Sequence, residues 1–203
     1  MANGSLYRTL REQIVEQIRS DVLTGRIAEG DSLREQALAE RFGVSRGPIR
    51  DALLQLTQEG LLVSRPNCGV KVGPAPSAAI QTLIVDMRRK TEAHALRRVF
   101  GELEDDDLAQ LDAILARLRA ACEADDMASV VQHDMAFHRW FVERTGDADL
   151  LAVWLPVITR MRLRYTRHRN LLESYREHAA VVEAIRRGDR QAAVKALVTN
   201  IQQ

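Results

Sequence analysis

Residues 29–72 read EGDSLREQALAERFGVSRGPIRDALLQLTQEGLLVSRPNCGVKV, and this stretch decides the fold of the N-terminal part of the chain. Ser32 followed by Glu35 has the form of a capping box, which predicts the start of a short helix that ends at Gly43. Ser45 is a suitable N-cap for a second helix. The pattern therefore predicts two helices separated by a tight turn.

The segments on either side of this helix pair complete a small domain. Upstream, apolar residues at helical spacing predict a helix that stops near Gly25: Leu6, Leu10, Ile14, Ile18 and Val22. The helix after the turn has its own apolar stripe: Ile49, Ala52, Leu53 and Leu56. Downstream, residues 61–64 and 70–72 flank a turn at 66–69 and predict a two-stranded ribbon. Three helices and a ribbon are the plan of a winged helix-turn-helix domain, which binds DNA.

Composition indicates a mostly α protein with two domains. Of its 203 residues, 46% are hydrophobic and only 4% aromatic, and Ala, Leu, Glu and Arg favour helices over strands. The segment GPAPSAA at residues 73–79 is a linker by composition. We expect the winged helix-turn-helix domain over residues 1–75 and an all-α antiparallel helical bundle over residues 76–203.

Several classes of protein are excluded by simple features of the chain. The net charge of +1 provides no overall field that would attract a partner. Cys68 and Cys122 lie far apart and do not suggest a disulfide framework or a metal knuckle. Neither a signal-peptide pattern nor an apolar stretch approaching about 18 residues is found. We therefore expect a cytoplasmic protein without a membrane span.

The positions of the basic residues in the first domain favour DNA binding, although the net charge of the chain does not indicate it. Arg46 and Arg50 lie four positions apart on one flank of the predicted third helix, and residues 60–85 contain Arg65 and Lys71 but no acidic residue. The absence of acidic groups lowers the cost of approaching phosphates. A solvated helix face is the alternative explanation for the two arginines.

The segment from Glu29 to Val72 closely resembles the DNA-binding domain of the GntR family of bacterial transcription regulators. The motifs that carry this resemblance are GD-x-L, LA-x-x-FGVSR, P-x-R-x-AL-x-x-L, EGL and P-x-x-G. The resemblance implies that Arg46 and Arg50 contact double-stranded operator DNA. It also implies that Gln36 and Ser45 lie near phosphates, and that Gly69 at the wing tip enters the minor groove.

Two positions depart from the pattern of that family. Glu29 stands where the family usually has proline, which should matter little. Gly47 stands on the DNA-contacting segment where the family usually has threonine or serine, so a hydroxyl that would hydrogen-bond a phosphate is missing.

Ionisable side chains fall on apolar helix stripes in the second domain. The members of these stripes are Val130, Asp134, Phe137, His138 and Phe141; His178, Val181, Val182 and Ile185; and Leu197, Asn200 and Ile201. Because burying such groups alone costs several kcal/mol, they should meet one another, a metal or a polar ligand. Asp134, His138 and His178 together suit a divalent ion of the Zn, Ni or Mn type. For a single inward histidine, a satisfied core residue is the alternative.

Two further helices of this domain carry candidate residues. The first helix after the linker is expected to gather Ile80, Leu83, Ile84, Met87 and Thr91 on one face, with Arg88 on the flank. In a later helix, the stripe set by Leu150, Trp154, Val157 and Met161 brings Arg164 and His168 to the core side. Either of these last two residues could line a pocket for an anion.

Residues 80–203 are similar to the FCD effector domain of the FadR-like branch of GntR regulators. The elements that carry this resemblance are MRRKTEAHA, D-x-x-FHRWF, TG-x-x-x-L and EH-x-x-VVEAIRRGD. The resemblance implies a helical bundle that forms a homodimer and, in many members, holds a divalent metal through an aspartate and three histidines below a cavity for a small carboxylate.

Matched onto this chain, the metal ligands of that domain are Asp134, His138 and His178, and Asn200 stands in place of the third histidine. An asparagine oxygen is a neutral and weaker ligand. Arg88 matches an arginine that can hold the carboxylate of an effector through a bidentate pair.

These features predict a homodimeric transcription regulator whose affinity for its operator changes when a small organic acid binds. Repression is the commoner mode among members of the family. One alternative is the same regulator without a metal, binding an apolar or acyl effector. A metal-dependent enzyme using Asp134, His138 and His178 is the other alternative. We expect no enzyme, because no recognisable general base or nucleophile accompanies these residues in the sequence.

Overall fold

The chain forms helices and one small sheet in a computed structural model that describes residues 9–23, 25–65, 69–162 and 171–201. It divides into two compact units, Met1–Ala75 and Pro76–Gln203. The elements of the first unit are α1 (Leu10–Leu23), β1 (Ser32–Leu33), α2 (Glu35–Phe42), α3 (Arg46–Gln58), β2 (Leu62–Arg65) and β3 (Gly69–Val72). Those of the second unit are α4 (Ala78–Val99), a 3-10 turn (Phe100–Glu102), α5 (Asp105–Glu123), α6 (Met127–Arg144), α7 (Ala148–Arg162), α8 (Leu171–Arg186) and α9 (Arg190–Asn200).

The first unit is a winged helix-turn-helix, as predicted. Helix α3 packs against α1 and α2, and its predicted apolar stripe is buried: Ile49, Ala52, Leu53 and Leu56. Gly43 ends α2 with a φ of 65°, a left-handed conformation that favours glycine. Ser45 follows as the N-cap residue of α3, although its side chain makes no capping hydrogen bond.

The sheet of the first unit differs from the prediction in two ways. It has three antiparallel strands in the order β1-β3-β2 instead of two, because Ser32 and Leu33 pair with β3. The predicted capping box is wrong for the same reason. Ser32 pairs with Lys71, Arg34 takes the N-cap position of α2 without a side-chain capping bond, and Glu35 pairs with Arg50. Backbone pairing of Ser32 with β3, a strand distant in the sequence, therefore takes the place of the capping hydrogen bond that the local pattern predicted.

The second unit is all-helical throughout the part that is described. Helix α4 packs against α6, α7 and α9, while α5 packs against α6 and α8, and α8 against α9. Large side chains at the centre of this unit are almost fully buried: Leu96, Leu111, Phe137, Phe141 and Trp154. In the described ranges, every helix is too short or too polar to cross a membrane.

Helix α4 does not turn its most apolar face to the core. Of the predicted face, Ile84 is buried, but Ile80, Leu83 and Met87 are 49%, 54% and 41% exposed. The buried face instead includes Val85, Arg88, Glu92, Leu96 and Val99. Two charged residues, Arg88 and Glu92, thus belong to the buried stripe, while most of the apolar face lies exposed.

Candidate DNA interface and metal centre

Helix α3 presents Arg46 and Arg50 on its exposed face. The reason lies in the local packing, since Ile49 and Leu53 are buried and fix the rotation of the helix. Gly47 is also exposed, and a Cβ atom added there would meet only Ser45 Oγ, at 3.9 Å. Ser45 and Gly47 therefore lie on the same open surface as the two arginines.

Both arginines of α3 contact residues at the start of α2. Arg50 donates from Nε to Glu35 Oε1 at 3.1 Å and from Nη2 to Glu35 Oε2 at 3.0 Å. Arg46 donates from Nη2 to Gln36 Oε1 at 3.3 Å. The hydrogen bond from Arg50 lowers the pKa of Glu35, so that carboxylate is anionic at neutral pH. Side chains from two helices thus form one polar surface, and Glu35 is a member that the sequence analysis assigned to capping.

The wing is described except for residues 66–68 at its tip. Gly69 begins β3 with a φ of 71° and is exposed. Lys71, also exposed, pairs with Val63 of β2 in the ladder. Gly69 therefore begins the second long strand of the ribbon, and its place at the wing tip and its entry into a minor groove stay predictions.

The three predicted metal ligands come together in the core of the second unit. Asp134 and His138 lie one turn apart on α6, and His178 lies on α8. Each is buried, and one donor atom from each lies within 4.8 Å of the others. The structure therefore brings together residues that are separated by up to 44 positions in the sequence.

The two histidines of this cluster both use Nδ1 for an internal hydrogen bond. His138 Nδ1 lies 2.6 Å from Glu92 Oε2, and His178 Nδ1 lies 2.7 Å from the carbonyl oxygen of Ser174. Because both partners are acceptors, each Nδ1 carries the proton, and in the neutral ring Nε2 keeps a lone pair. That is the form of imidazole that binds a metal.

The separation of His178 and Asp134 fits two ligands of one ion. Nε2 of His178 is buried, has no hydrogen-bond partner among the described residues and lies 3.3 Å from Asp134 Oδ1. At this distance a neutral His178 would turn a lone pair toward the carboxylate and repel it, so the pair requires a positive species, which a proton on Nε2 or a metal ion supplies. Donors that each bind one ion at about 2.1 Å are about 3 Å apart at ordinary coordination angles.

The charges of these groups suit a cation as well. Burial raises the pKa of Asp134, but its contact with His178 and the positive charges around it outweigh burial and keep that pKa well below its usual range. Burial lowers the pKa of His138 more than the neighbouring Glu92 raises it. At neutral pH the cluster therefore offers an anionic carboxylate and a neutral imidazole, and it fits a divalent metal.

Asn200, the fourth predicted ligand, approaches the other side of His178. Its Nδ2 lies 3.2 Å from His178 Nδ1 and 3.2 Å from Glu177 Oε2. Its Oδ1 is buried and has no hydrogen-bond partner within the part of the chain that the structure describes. Since Asp134 faces Nε2 of the same ring, the amide of Asn200 lies against the opposite nitrogen, and its role as a ligand stays a prediction.

The three predicted effector residues have different outcomes. Arg88 is only 1% exposed; its Nε donates to Glu92 Oε1 at 2.7 Å and its Nη1 contacts Met161 Sδ at 3.4 Å. An internal carboxylate thus already pairs with the guanidinium expected to hold the effector. Arg164 and His168 lie outside the described residues. Effector binding by all three residues stays a prediction.

Glu92 is the member of this site that the sequence analysis missed. It is fully buried, and it accepts hydrogen bonds from Trp154 Nε1 at 2.8 Å as well as from Arg88 and His138. Burial raises the pKa of Glu92, but Arg88 and His138 outweigh burial and lower that pKa to about 2. A signal was available, since Arg88 and Glu92 form an i, i+4 pair in the same stripe as Val85 and Leu96.

A winged helix-turn-helix joined in one chain to a helical unit with a buried polar centre is the architecture of a ligand-responsive transcription regulator. The sequence matches bacterial regulatory proteins of the gntR family over residues 10–72 and the FCD domain over residues 83–203. The chain belongs to the GntR family and carries an FCD domain. It is therefore a DNA-binding transcription regulator with an effector-binding domain.

Relatives span nearly the whole chain. It is 27% identical over 208 residues to the HTH-type transcriptional repressor RspR of Escherichia coli K12, covering 99% of this chain and 86% of RspR. It is 30% identical to an HTH-type transcriptional regulator in an unstable DNA locus of Streptomyces ambofaciens, covering 96% and 83% of the two chains. The solved structure of E. coli McbR/YncC has the same fold, with a TM-score of 0.83, 23% identity and coverage of 97% and 95%.

Proposed function

We propose that this protein is a homodimeric repressor that binds an operator in the cytoplasm and responds to a small carboxylate bound at a divalent metal ion in the second unit. Asp134, His138 and His178 would hold the ion, and Asn200 would add an oxygen ligand if its side chain turned away from Nδ1 of His178. The observation that carries this proposal is the convergence of the three buried donor groups within 4.8 Å. Zn, Ni and Mn ions all suit the donor set.

In the first unit, the exposed face of α3 supports insertion of that helix into the major groove. Arg46 and Arg50 would contact bases or phosphates there, because guanidinium groups bind guanine edges and phosphates with two parallel hydrogen bonds. Gln36 and Ser45 would bind phosphates, and Gly47 would let the backbone approach the DNA closely. Gly69 would lie at the minor groove with the wing.

The charges of the second unit explain why an anionic effector would use the metal. Asp134 and Glu92 are negative, and Arg88 is positive and already paired with Glu92. This centre repels an anion until a cation is added. A divalent ion held by Asp134, His138 and His178 would supply a positive charge to which a carboxylate could bind. Arg88 would then attract the same anion from a buried position, and Arg164 and His168 are further candidates for its binding.

The exposed apolar residues of α4 support a homodimer. Ile80, Leu83 and Met87 follow an i, i+3, i+7 spacing, so they form one stripe, and each is at least 41% exposed. Contiguous exposed apolar surface of this kind is typical of protein interfaces. Two-fold symmetry would pair two α3 helices with the halves of a short pseudo-palindrome, with half-sites about one helical turn or less apart. An effector that distinguishes the two states by about 1–3 kcal/mol is sufficient for regulation.

Metal content and operator binding test this proposal together. We expect protein purified without chelators to contain a divalent metal, and Asp134→Asn to lose it. His94→Gln is the matched control, because it removes an exposed imidazole from α4. Binding to DNA from the intergenic region beside the protein's own gene is then measured with acetate or succinate, before and after metal removal. We expect the carboxylate to change operator affinity only in metal-loaded protein.

Other outcomes of this experiment would contradict parts of the proposal. Wild-type protein without metal that still responds to an acyl or apolar compound would support the metal-free regulator. Conversion of the carboxylate into a product would support the enzyme. Loss of metal in both Asp134→Asn and His94→Gln would remove the reason for assigning the ion to the buried cluster.

A further inference from the structure

Glu92 contacts the metal centre without belonging to its ligand set. Its Oε2 lies 2.6 Å from Nδ1 of His138, while its Oε1 accepts from Arg88 Nε at 2.7 Å and Trp154 Nε1 at 2.8 Å. All three partners are donors, so donors from three helices, α4, α6 and α7, converge on this carboxylate.

We propose that Glu92 is a positioning residue of the metal centre: its carboxylate keeps the proton of His138 on Nδ1 and thereby leaves Nε2 free to bind the ion. This inference rests on the proposed metal site, because it concerns the histidine that would hold the ion. Arg88 and Trp154 act one step further away, since they hold the carboxylate in the orientation that His138 requires.

The hydrogen-bonding capacity of the imidazole explains this role. A neutral histidine has one proton for two nitrogens, and the partner of one nitrogen decides which of them carries it. A carboxylate at Nδ1 fixes the tautomer and ring orientation and makes Nε2 a stronger electron donor. The equivalent partner of His178 is the carbonyl oxygen of Ser174, one turn earlier on the same helix. The partner of His138 is a side chain from another helix, so a single substitution can remove it and change the orientation of the ring.

A purely structural role accounts less well for these contacts. An ion pair buried as deeply as Arg88 and Glu92 contributes little net stability compared with apolar packing. Arg88 and Glu92 would also form this ion pair if His138 did not contact Glu92, so the ion pair does not explain that contact. One of the two carboxylate oxygens of Glu92 nevertheless lies against the ring of His138, a candidate metal ligand. Its distance from Nδ1 is short, as is typical of a charge-assisted hydrogen bond.

The test uses a variant that removes the acceptor charge without leaving a buried charge unpaired. Glu92→Leu removes both carboxylate oxygens but alone would leave Arg88 without its counterion, so we combine it with Arg88→Met. Trp154→Phe is the comparator, because it removes one donor to Glu92 and keeps the contact between Glu92 and His138. Circular dichroism and thermal unfolding of the full-length variants confirm that both are folded.

Two measurements then separate the inference from the proposed metal function. The first is the tautomer of His138 in metal-free protein, determined by long-range nitrogen–proton NMR. We expect a proton on Nδ1 in the wild type and in Trp154→Phe, and a substantial population with the proton on Nε2 in the double variant. The second is the affinity for Co²⁺ and Zn²⁺ in competition with a chelator. We expect it to fall about 10- to 100-fold in the double variant and less than about threefold in Trp154→Phe.

Either measurement can overturn the inference. A folded double variant that keeps the wild-type tautomer shows that Glu92 does not orient His138, whatever the metal affinity. A double variant with wild-type metal affinity shows that the orientation does not matter for the ion. Wild-type protein that binds neither ion contradicts the proposed metal site, and the NMR measurement then still decides whether Glu92 sets the tautomer.

Discussion

Glu35 on α2 occupies one whole edge of the guanidinium of Arg50 on α3, with hydrogen bonds of 3.1 Å from Nε and 3.0 Å from Nη2. The other edge, which includes Nη1, makes no contact with Glu35 and is the edge that can form two parallel hydrogen bonds with guanine. The Arg50 side chain is 68% exposed, so DNA can reach it. Glu35 is therefore placed to restrict the orientation of a base-reading arginine.

We predict that Glu35→Gln weakens discrimination between operator and random DNA by about tenfold, within the 1–3 kcal/mol of a bidentate contact. Affinity for random DNA should rise, because a negative charge near the phosphates is removed. Fluorescence anisotropy with both DNAs at several salt concentrations measures these effects. Glu40→Gln is the control, since Glu40 is exposed on the same helix and contacts Gln36 instead of Arg50. Equal discrimination by the two variants would contradict a positioning role for Glu35.

Gly47 offers a second test of the same surface. A Cβ at this position has ordinary space, with Ser45 Oγ at 3.9 Å as its nearest neighbour. Gly47→Ala should therefore stabilise the protein by about 0.4–1 kcal/mol, because it reduces the conformational freedom of the unfolded chain. Gly47→Ser should also tighten binding to any DNA severalfold through a hydroxyl bound to phosphate.

The comparison of Ala with Ser at position 47 separates helix stability from phosphate binding. Chemical denaturation gives the stability of each variant, and anisotropy gives its DNA affinity. If Gly47→Ala tightens DNA binding as much as Gly47→Ser does, the missing hydroxyl is not what limits the affinity of the wild type.

The exposed stripe of α4 leads to a prediction about assembly. Leu83 is 54% exposed between Ile80 and Met87, so Leu83→Glu would place a charge at the centre of the proposed interface. We expect the wild type to sediment as a dimer and Leu83→Glu as a monomer with much weaker operator binding. Thr82→Glu, at an exposed position away from the stripe, should remain a dimer. A dimeric Leu83→Glu protein would place the interface elsewhere.

Short-range patterns were sufficient to predict most of the fold. The three helices of the first unit, the turn at Gly43 and the buried stripe from Ile49 to Leu56 all follow from spacings within one or two helical turns. Local spacing failed at Ser32, where pairing with Lys71 of a distant strand decides the structure. No pattern within one helix reveals such a partner.

The burial of Asp134 and His138 could likewise be predicted from spacing within a single helix. Asp134 and His138 sit among aromatic residues of one stripe, so burial of a polar group is visible in the sequence itself. Glu92 was missed because its stripe on α4 contains a charged pair, which resembles a solvated helix face. Its contacts with His138 and Trp154 depend on the packing of three helices, and the sequence does not contain their relative positions.

A final prediction concerns the pH dependence of stability. Asp107 is buried near the start of α5 and accepts hydrogen bonds from Arg144 near the end of α6, at 2.8 Å from Nε and 3.0 Å from Nη2. The hydrogen bonds from Arg144 lower the pKa of Asp107 in the folded protein below its ordinary value of 3.8. The unfolded state therefore binds a proton more readily, and the contribution of this pair is complete above about pH 5 and is lost as the pH falls through the lowered pKa.

We expect Asp107→Asn to cost about 1–3 kcal/mol at pH 7, because the charge-assisted hydrogen bonds from Arg144 to this carboxylate are lost. The difference from the wild type should shrink as the pH is lowered below about 4, where the Asp107 carboxylate of the unfolded wild type takes up a proton more readily than that of the folded protein. Urea denaturation of both proteins between pH 7 and about pH 3 measures this change. Asp105→Asn, at an exposed position in the same helical turn, controls for the loss of a negative charge at the start of the helix. If the Asp107→Asn difference is the same at both ends of this pH range, the ion pair with Arg144 does not stabilise the junction of α5 and α6.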